Sequence, residues 1–487
     1  MESVLTLLGA AAPQSSFDQF LNWGNGLLWG SVLIYLLVGA GLYFTFMTRG
    51  VQLRLLGEAW RAVTGSRQTA GSEGISSFQA FATGLASRVG TGNIAGVAIA
   101  LSLGGPGAVF WMWMTALLGM STALIEATLA QAYKVRDPDH GFRGGPAYYI
   151  RQGLGLGWMG SLFAVFLILA FGLVFNAVQS NSIAAALSDY SISPLTIGLA
   201  LAALTAPIIF GGLKRVSRVA ELVVPFMAGL YILVALYVLV TNAAELPGMF
   251  ARIFQGAFGL DAAAGGVAGG MVAALLNGVK RGLFSNEAGM GSAPNAAAAA
   301  TVDHPVQQGL VQMLGVFVDT IIVCTATAAI ILLSGVTLGG EATGVQLTQS
   351  ALTEHVGGWG NDFLAVAIFL FAFTSIIGNY AYAESNVQFL SRHPAVLTVF
   401  RLMVLGMVVF GAVKEVPTVW NMADYSMGLM AITNLVALLM LAPVALRLLR
   451  DYDRQRHAGK APVFDRRADP ELDARLPAEV WQKRETP

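Results

Sequence analysis

Long apolar segments restrict what this chain can fold into more than any other feature of its sequence. Eleven runs approach or exceed the roughly 20 apolar residues that a helix needs to cross a bilayer. They cover residues 27–47, 78–102, 108–133, 158–187, 194–211, 219–240, 264–284, 306–333, 363–378, 396–413 and 423–446. Only 11% of the residues are charged, against about 25% in soluble domains. The sequence therefore predicts an all-α polytopic membrane protein with about 11 transmembrane helices, surrounded by lipid.

The composition also excludes several classes of function. The net charge is zero, so a nucleic-acid partner is not expected, and the single cysteine, Cys324, gives neither a disulfide framework nor a thiolate metal cluster. The histidines fall in predicted loops or in the tail, where they cannot serve an intramembrane protease; they are His140, His304, His355, His393 and His457. No phosphate-binding glycine loop with Lys and Ser or Thr is present in the sequence. We therefore expect no enzyme, no resident cofactor and no ATP-driven pump.

Basic residues predict the orientation of the chain in the cytoplasmic membrane. They cluster in alternate loops, at Arg49, Arg54, Arg61, Arg67, Lys134, Arg136, Arg143, Arg151, Lys214, Arg215, Arg218, Lys280, Arg281 and Arg392. The opposite loops contain only Arg252 and Lys414. The N-terminus is thus predicted outside, and residues 451–487 are predicted as a charged, solvated cytoplasmic tail.

Two of the predicted spans are interrupted by glycine and polar residues. The second contains "GTGN" at 90–93, and the seventh ends in "GVKRGLFSNEAGMGSAP" at 278–294. The two interruptions are five spans apart, an odd number, so the second copy must enter the membrane from the opposite side. This pattern is typical of transporters built from two inverted repeats with broken helices. We expect a peripheral helix and basic loop in 1–76, repeats in 77–241 and 242–450, and the tail from 451.

A break in the second span would have a chemical use. Unwound backbone is tolerated at membrane depth only where it lines a polar cavity. The half-helix that starts near Ile94 would direct its positive end at a carboxylate, and carbonyls near Val89 would suit Na⁺. The alternative is a packing face, because Gly92 and Gly96 have small-xxx-small spacing. The polar Thr-Gly-Asn run and the partner break favour the broken helix.

Several longer motifs resemble those of the alanine or glycine:cation symporter family, of the sodium:alanine symporter type. They are "RVGTGNIAGVAIAL", "GGPGAVFWMWMTALLGM", "FNAVQSNSIA", "RGLFSNEAGMGSAP" and "GVFVDTIIVCTAT". The resemblance extends from the first span to about residue 446. It implies a leucine-transporter-type fold, a 5+5 inverted repeat with broken helices two and seven, preceded by one peripheral helix. It also implies uptake of alanine or glycine coupled to Na⁺ or, less often, to H⁺.

The resemblance further implies which residues bind the substrate and the cation. Thr91, Gly92 and Asn93 would form the carboxylate and backbone site, with Gln179 facing the substrate and Phe175 capping a small pocket. Thr374 and Ser375 would bind Na⁺ together with the carbonyls of Ala86 and Val89.

The remaining parts of the site follow from the chemistry of an amino acid. The α-ammonium group is expected to meet backbone carbonyls of an unwound seventh span, near Asn277 and Gly278. The side chain would point at Phe175 and at a wall formed by Ser375 and Asn379. Many relatives have a tryptophan where this chain has Asn379, which leaves the accepted side-chain size open.

Carboxylates at membrane depth are functional candidates, because burying a charge in lipid is costly. Asp319 lies in the middle of the eighth span, where it could bind the cation or a proton, or form a structural pair with Arg88. Glu126 is predicted to tie helices together. Glu287 is predicted near the cytoplasmic end, in a gate or structural role, paired with Lys280 or Arg281.

Two functional alternatives remain open at this stage. Glycine-broken half-helices also occur in passive channels, although a symmetric unit of five helices favours alternating access. The substrate could also be another small amino acid, such as serine or a D-amino acid.

Overall fold

The computed structural model describes residues 15–65, 74–137, 141–259, 267–340, 342, 344–477 and 480–481. Within these described ranges, eleven helical spans, numbered here in chain order, pack into a single bundle. They are Ser16–Met47, Ser77–Arg88 with Gly92–Gly104, Gly107–Ala132, Gly157–Ala186, Pro194–Ile209, Gly212–Thr241, Val267–Asn286, Pro305–Leu333, Trp359–Leu390, Pro394–Val413 and Val416–His457. Among the described residues, eight helices are long and apolar enough to cross a membrane.

Short elements connect the spans. The short α-helices are Val51–Arg54, Leu56–Gly65, Pro146–Gly153, Leu246–Ala257, Pro294–Ala298, Val345–Val356 and Pro470–Asp473. Single 3₁₀ turns occupy Ser188–Tyr190, Ala243–Glu245 and Arg466–Ala468. The strands Val135–Asp137 and Gly141–Arg143 pair antiparallel between spans 3 and 4.

Four wide helical turns interrupt the regular hydrogen bonding of the spans. These π-helical segments are Trp29–Leu33, Gly92–Gly96, Ile168–Val174 and Phe317–Cys324. Such turns release carbonyl groups from the helical ladder and often accompany functional sites. Three of these segments lie in spans 2, 4 and 8, which carry predicted site residues such as Asn93, Gln179 and Asp319.

The bundle has an apolar outer surface, and its interior combines an apolar core with buried polar groups. Large side chains such as Leu199, Leu222 and Phe226 are exposed on spans 5 and 6. In contrast, every residue from 281 to 298 is buried, and polar groups such as Asn93 and Gln179 are almost inaccessible. The fold therefore places both broken helices at the centre of the molecule.

The described part of the C-terminal tail is less solvated than predicted. Span 11 continues to His457, and the chain then folds back onto the ends of other spans. The Phe464 N–H donates to the Asp303 carbonyl over 2.9 Å, and the Trp481 indole donates to the Gln131 carbonyl over 3.2 Å. The described part of the tail thus packs on the bundle rather than extending into solvent.

The prediction that Lys280 and Arg281 belong to a loop is wrong. Both lie inside the helix Val267–Asn286. Arg281 forms an ion pair with Asp424 of span 11, and the Lys280 ammonium lies 3.5 Å from the same carboxylate. Both cations thus share one carboxylate that is distant in sequence, which the local sequence could not show. The predicted orientation therefore rests on the other basic residues.

Candidate functional site

The predicted break in span 2 is confirmed. The first half-helix ends at Arg88 and the second begins with the wide turn Gly92–Gly96. Side chains stabilise the backbone groups that the break frees: Asn93 Oδ1 accepts from the Gly90 N–H over 2.9 Å, and Gln179 Oε1 accepts from the Thr91 N–H over 3.2 Å. The break thus brings Thr91, Gly92 and Asn93 together with Gln179 of span 4.

The break in span 7 lies later in the chain than predicted. The helix continues to Asn286, and the unwound segment is 287–293, where Glu287, Gly289 and Gly291 have positive φ angles. Asn277 and Gly278 therefore lie within regular helix, and the Asn277 side chain donates to the Ala273 carbonyl over 2.9 Å. Their assignment to the ammonium site is corrected, because carbonyls in a continuous helix are already hydrogen bonded.

The two broken helices contact each other directly. Ser87 Oγ lies 2.6 Å from Glu287 Oε1, and Asn93 Nδ2 donates to Ser285 Oγ over 3.0 Å. Gly92 allows a close approach, because a Cβ atom there would lie 2.9 Å from the Phe284 ring. The two interruptions predicted from the sequence, in spans 2 and 7, therefore lie next to each other in the structure.

An aromatic stack covers one side of the break. Phe175 lies 4.6 Å from Phe284 between ring centroids, and Phe284 lies 4.8 Å from Trp420. The Arg281 guanidinium lies 4.7 Å from the centroid of Trp420 and pairs with Asp424, which closes the stack. Sequence reasoning placed Phe175 here but missed the others. Phe284 was within a quoted motif, whereas Trp420 gave no local signal.

Ser375 and Gln179 flank Gly90 from two different spans. A Cβ atom at Gly90 would lie 3.0 Å from Gln179 Oε1 and 3.2 Å from the Ser375 Cβ atom. Asn379 is buried one turn beyond Ser375. Its side chain contacts Ser87 and Asn176 rather than an open wall, with Oδ1 2.7 Å from Ser87 Oγ and Nδ2 3.2 Å from Asn176 Oδ1.

Only part of the predicted cation site comes together. Ser375 Oγ donates to the Ala86 carbonyl over 2.9 Å, across the gap between spans 9 and 2. The Thr374 hydroxyl instead bonds carbonyls of its own helix and lies 3.7 Å from Met227 Sδ. Neighbouring helical residues face different directions, so the expectation that Thr374 and Ser375 act together is corrected. Val89 is buried in the break itself.

Asp319 connects span 8 to both broken helices. Its Oδ1 atom accepts from Asn93 Nδ2 over 2.5 Å, and its Oδ2 atom accepts from the Ser285 and Thr320 hydroxyls, each over 2.7 Å. Arg88 donates to the Gln312 carbonyl over 3.4 Å, and no ion pair joins Arg88 to Asp319 in the described part of the chain. The structure therefore does not support the alternative of a direct pair.

Glu126 holds the unwound segment of span 7 in place. It accepts from the Gly289 N–H over 3.3 Å and from the Asn434 amide over 3.0 Å. Its predicted helix-tying role is confirmed. Glu287 does not pair with Lys280 or Arg281, because both of these bind Asp424.

With this geometry described, comparison with known proteins identifies the family. The sequence profile of the sodium:alanine symporter family matches residues 14–466. The chain belongs to this family. The predicted resemblance is thereby confirmed, and the protein is an integral membrane transporter rather than an enzyme.

Individual relatives are similar over almost their full lengths. The probable sodium/glutamine symporter GlnT of Bacillus subtilis is 50% identical over 93% of this chain and 94% of its own. The sodium/alanine symporter AgcS of Methanococcus maripaludis is 40% identical over 90% of this chain and 98% of its own. Both are named as sodium-coupled symporters.

A solved structure confirms the fold class. The crystal structure of MhsT in complex with L-phenylalanine superimposes with a TM-score of 0.53, over 84% of this chain and 95% of that chain. The sequence identity is 16%, so this likeness concerns the fold alone. The leucine-transporter-type architecture with broken helices two and seven is thus established.

Proposed function

We propose that the protein takes up a small neutral amino acid, alanine and/or glycine, by symport with Na⁺ and alternating access. The observation that carries this proposal is the break in span 2, where the Thr91 N–H donates to Gln179 and Asn93 donates to Ser285 of span 7. Ser375 bonds the Ala86 carbonyl just before this break. The family membership and the printed names of its relatives support a sodium-coupled amino acid carrier.

The carboxylate of the substrate would bind at the start of the second half-helix. The Gly92 N–H group and the positive end of the helix through Gly104 attract an anion at this point. The ammonium group would bind backbone carbonyls at the end of span 7, in the part of the unwound segment that follows Glu287 (288–293), and Gln179 Oε1. The carboxylate and ammonium groups, which all amino acids have in common, would thus both lie beside the break.

The limited space around the break favours a small side chain. Phe175 and Phe284 close one side, while Ser375 and Gln179 lie against Gly90 on the other. A methyl-sized difference is worth roughly 1–3 kcal/mol in such a pocket. Ser375, with the buried Asn379 one turn further along span 9 behind it, would therefore select among small substrates.

The coupling ion would bind where spans 2 and 9 meet. Na⁺ would bind beside Ser375 Oγ and the Ala86 carbonyl, which a 2.9 Å hydrogen bond joins in this structure. The hydroxyl hydrogen would turn away so that both oxygens face the ion. The Val89 carbonyl, directly after the end of the first half-helix, would be a further ligand. Freed carbonyls at half-helix ends are typical Na⁺ ligands in transporters of this architecture. Asp319 and Arg88 lie nearby and stay candidates for cation or proton coupling.

The topology is also part of the proposal. The N-terminus would lie outside and the tail in the cytoplasm, with 77–241 and 242–450 as the two repeats. Single cysteines placed in Cys324→Ser protein, one near 190 and one near 393, test this orientation. A membrane-impermeant thiol reagent should label only the first in intact cells, and the reverse pattern would contradict it.

Competition against labelled alanine tests the substrate. Glycine, L- and D-alanine, serine and glutamine are offered in Na⁺ buffer and in Na⁺-free buffer. Glutamine is included because one relative is named for it. We expect alanine and glycine to compete best, and only with Na⁺ present. Stronger competition by glutamine, or equal competition without Na⁺, would contradict the proposal.

A further inference from the structure

Glu287 is a buried carboxyl group that the proposed substrate and cation sites do not use. It is 1% exposed and begins the unwound segment of span 7 in a left-handed conformation, with φ of 60°. Its Oε1 atom lies 2.6 Å from Ser87 Oγ, and its Oε2 atom accepts from the Ser292 hydroxyl over 2.6 Å. It therefore joins span 7 to the first half of span 2.

Ser87 lies between two oxygen atoms and has only one hydrogen to share. Its Oγ atom is 2.6 Å from Glu287 Oε1 and 2.7 Å from Asn379 Oδ1. Each of these short contacts needs a hydrogen between its two oxygens. A hydroxyl group supplies one hydrogen, and an amide oxygen supplies none. The second hydrogen must therefore be on Glu287.

This count depends on the orientation of the Asn379 amide, which its neighbours fix. Asn176 must present its NH₂ group to the Gly172 carbonyl, 2.9 Å away, because a carbonyl only accepts. The Asn176 oxygen then faces Asn379, which must present its own NH₂ group over 3.2 Å. Reversing either amide would leave two oxygens facing each other without a hydrogen. Asn379 Oδ1 consequently faces Ser87.

The charged and titratable groups around Glu287 belong to several spans. They are Arg88 of span 2, Glu126 of span 3, Asp319 of span 8 and Tyr382 of span 9. One guanidinium thus faces two other carboxyl groups besides Glu287. A proton on Glu287 lowers the number of charges that this buried cluster must accommodate, and burying unpaired charge is costly.

From this geometry we propose that Glu287 is a neutral carboxylic acid whose proton controls the contact between the broken helices and spans 4 and 9. With the proton present, Glu287 donates to Ser87 of span 2, and Ser87 donates to Asn379 of span 9. When the proton leaves to water, Ser87 turns its hydrogen to the new carboxylate, and the Asn379 contact loses its hydrogen. Glu287 is then a positioning residue for alternating access, an inference that rests on the proposed symport.

The experiment combines a pH series with one near-isosteric variant. Glu287→Gln keeps a donor for Ser87 and an acceptor for Ser292 but cannot ionise. We expect wild-type uptake of alanine into proteoliposomes to fall at alkaline pH, approaching about tenfold per pH unit for a single proton. The variant should retain uptake at acid pH and lose this alkaline fall. Ser87→Ala has no hydroxyl hydrogen to turn between Glu287 and Asn379, so its uptake should also lack the alkaline fall.

Infrared difference spectroscopy gives a readout that does not depend on transport. The wild-type spectrum should contain a protonated-carboxyl C=O band that is missing from Glu287→Gln at the same pH. The inference is overturned if no such band is lost, or if Glu287→Gln keeps the wild-type pH profile. Failure of wild-type protein to accumulate any small amino acid would instead overturn the proposed function, while the band would still decide the state of Glu287.

Discussion

Replacing Gly90 with alanine tests the site through a single added methyl group. Gly90 is in the break of span 2, and its backbone does not have a positive φ angle, so alanine meets no backbone strain there. The new Cβ atom would overlap Ser375 Oγ and lie 3.0 Å from Gln179 Oε1. The damage is therefore expected to come from the crowded side chains alone.

The size of the effect follows from the crowding. A methyl-sized misfit between a pocket and its substrate costs about 1–3 kcal/mol of binding free energy. Since 1.4 kcal/mol corresponds to a factor of about ten, we expect alanine affinity to fall by roughly 5- to 150-fold. The Na⁺ concentration for half-maximal uptake should also rise, because the methyl group displaces the Ser375 hydroxyl from Ala86.

Binding of labelled alanine to purified protein measures this effect, and uptake into proteoliposomes confirms it. Gly229→Ala in span 6 is the matched control, because a Cβ atom there has nothing within 4 Å. Thermal unfolding of both variants in detergent separates a site effect from misfolding. If Gly90→Ala binds alanine and Na⁺ as well as Gly229→Ala does, the site has been placed incorrectly.

Further predictions concern the cation, the pocket wall and the tail. Ser375→Ala should raise the Na⁺ concentration for half-maximal uptake more than Thr374→Ala, because only the Ser375 hydroxyl contacts Ala86; equal effects would argue against this site. Asn379→Trp should weaken the binding of alanine more than that of glycine, by roughly 1–3 kcal/mol, in a paired uptake assay. An unchanged ratio of glycine uptake to alanine uptake would show that residue 379 does not limit the size of the substrate. Burial lowers the pKa of His304, which lies just before span 8 and faces Asp451. The unfolded state then binds more protons, so tail stability should fall as pH drops through the ordinary histidine value near 6.5. Thermal unfolding should show this loss, and His304→Gln should reduce it.

The sequence predicted features that follow from local chemistry. Glycine and polar residues within an apolar run indicated the break at 90–93, and the polar "SNEAG" run indicated a second break in the right segment. The assignment of Asn277 failed because a polar side chain in a helix can bond its own backbone, as Asn277 does with Ala273. Hydropathy alone could not distinguish such a residue from an unwound one.

Features that depend on distant partners were missed. The apolar run in span 9 stopped at 378, whereas the helix continues to Leu390, because Asn379 and Asn386 face buried partners. Arg281 was placed in a loop, since Asp424, which neutralises it, lies 143 residues away. The tail was predicted as solvated because its contacts, such as Phe464 with Asp303, join segments remote in sequence. Local pattern could not provide these pairs.

Accumulation of alanine against its gradient tests the central claim most directly. Proteoliposomes are loaded with labelled alanine at the external concentration, and an inward Na⁺ gradient is imposed as the only driving force. The account predicts that internal alanine rises above the external concentration and returns to it when an ionophore collapses the gradient. Alanine that only equilibrates would indicate a channel, and accumulation that is unchanged when Na⁺ is replaced by K⁺ would contradict sodium coupling.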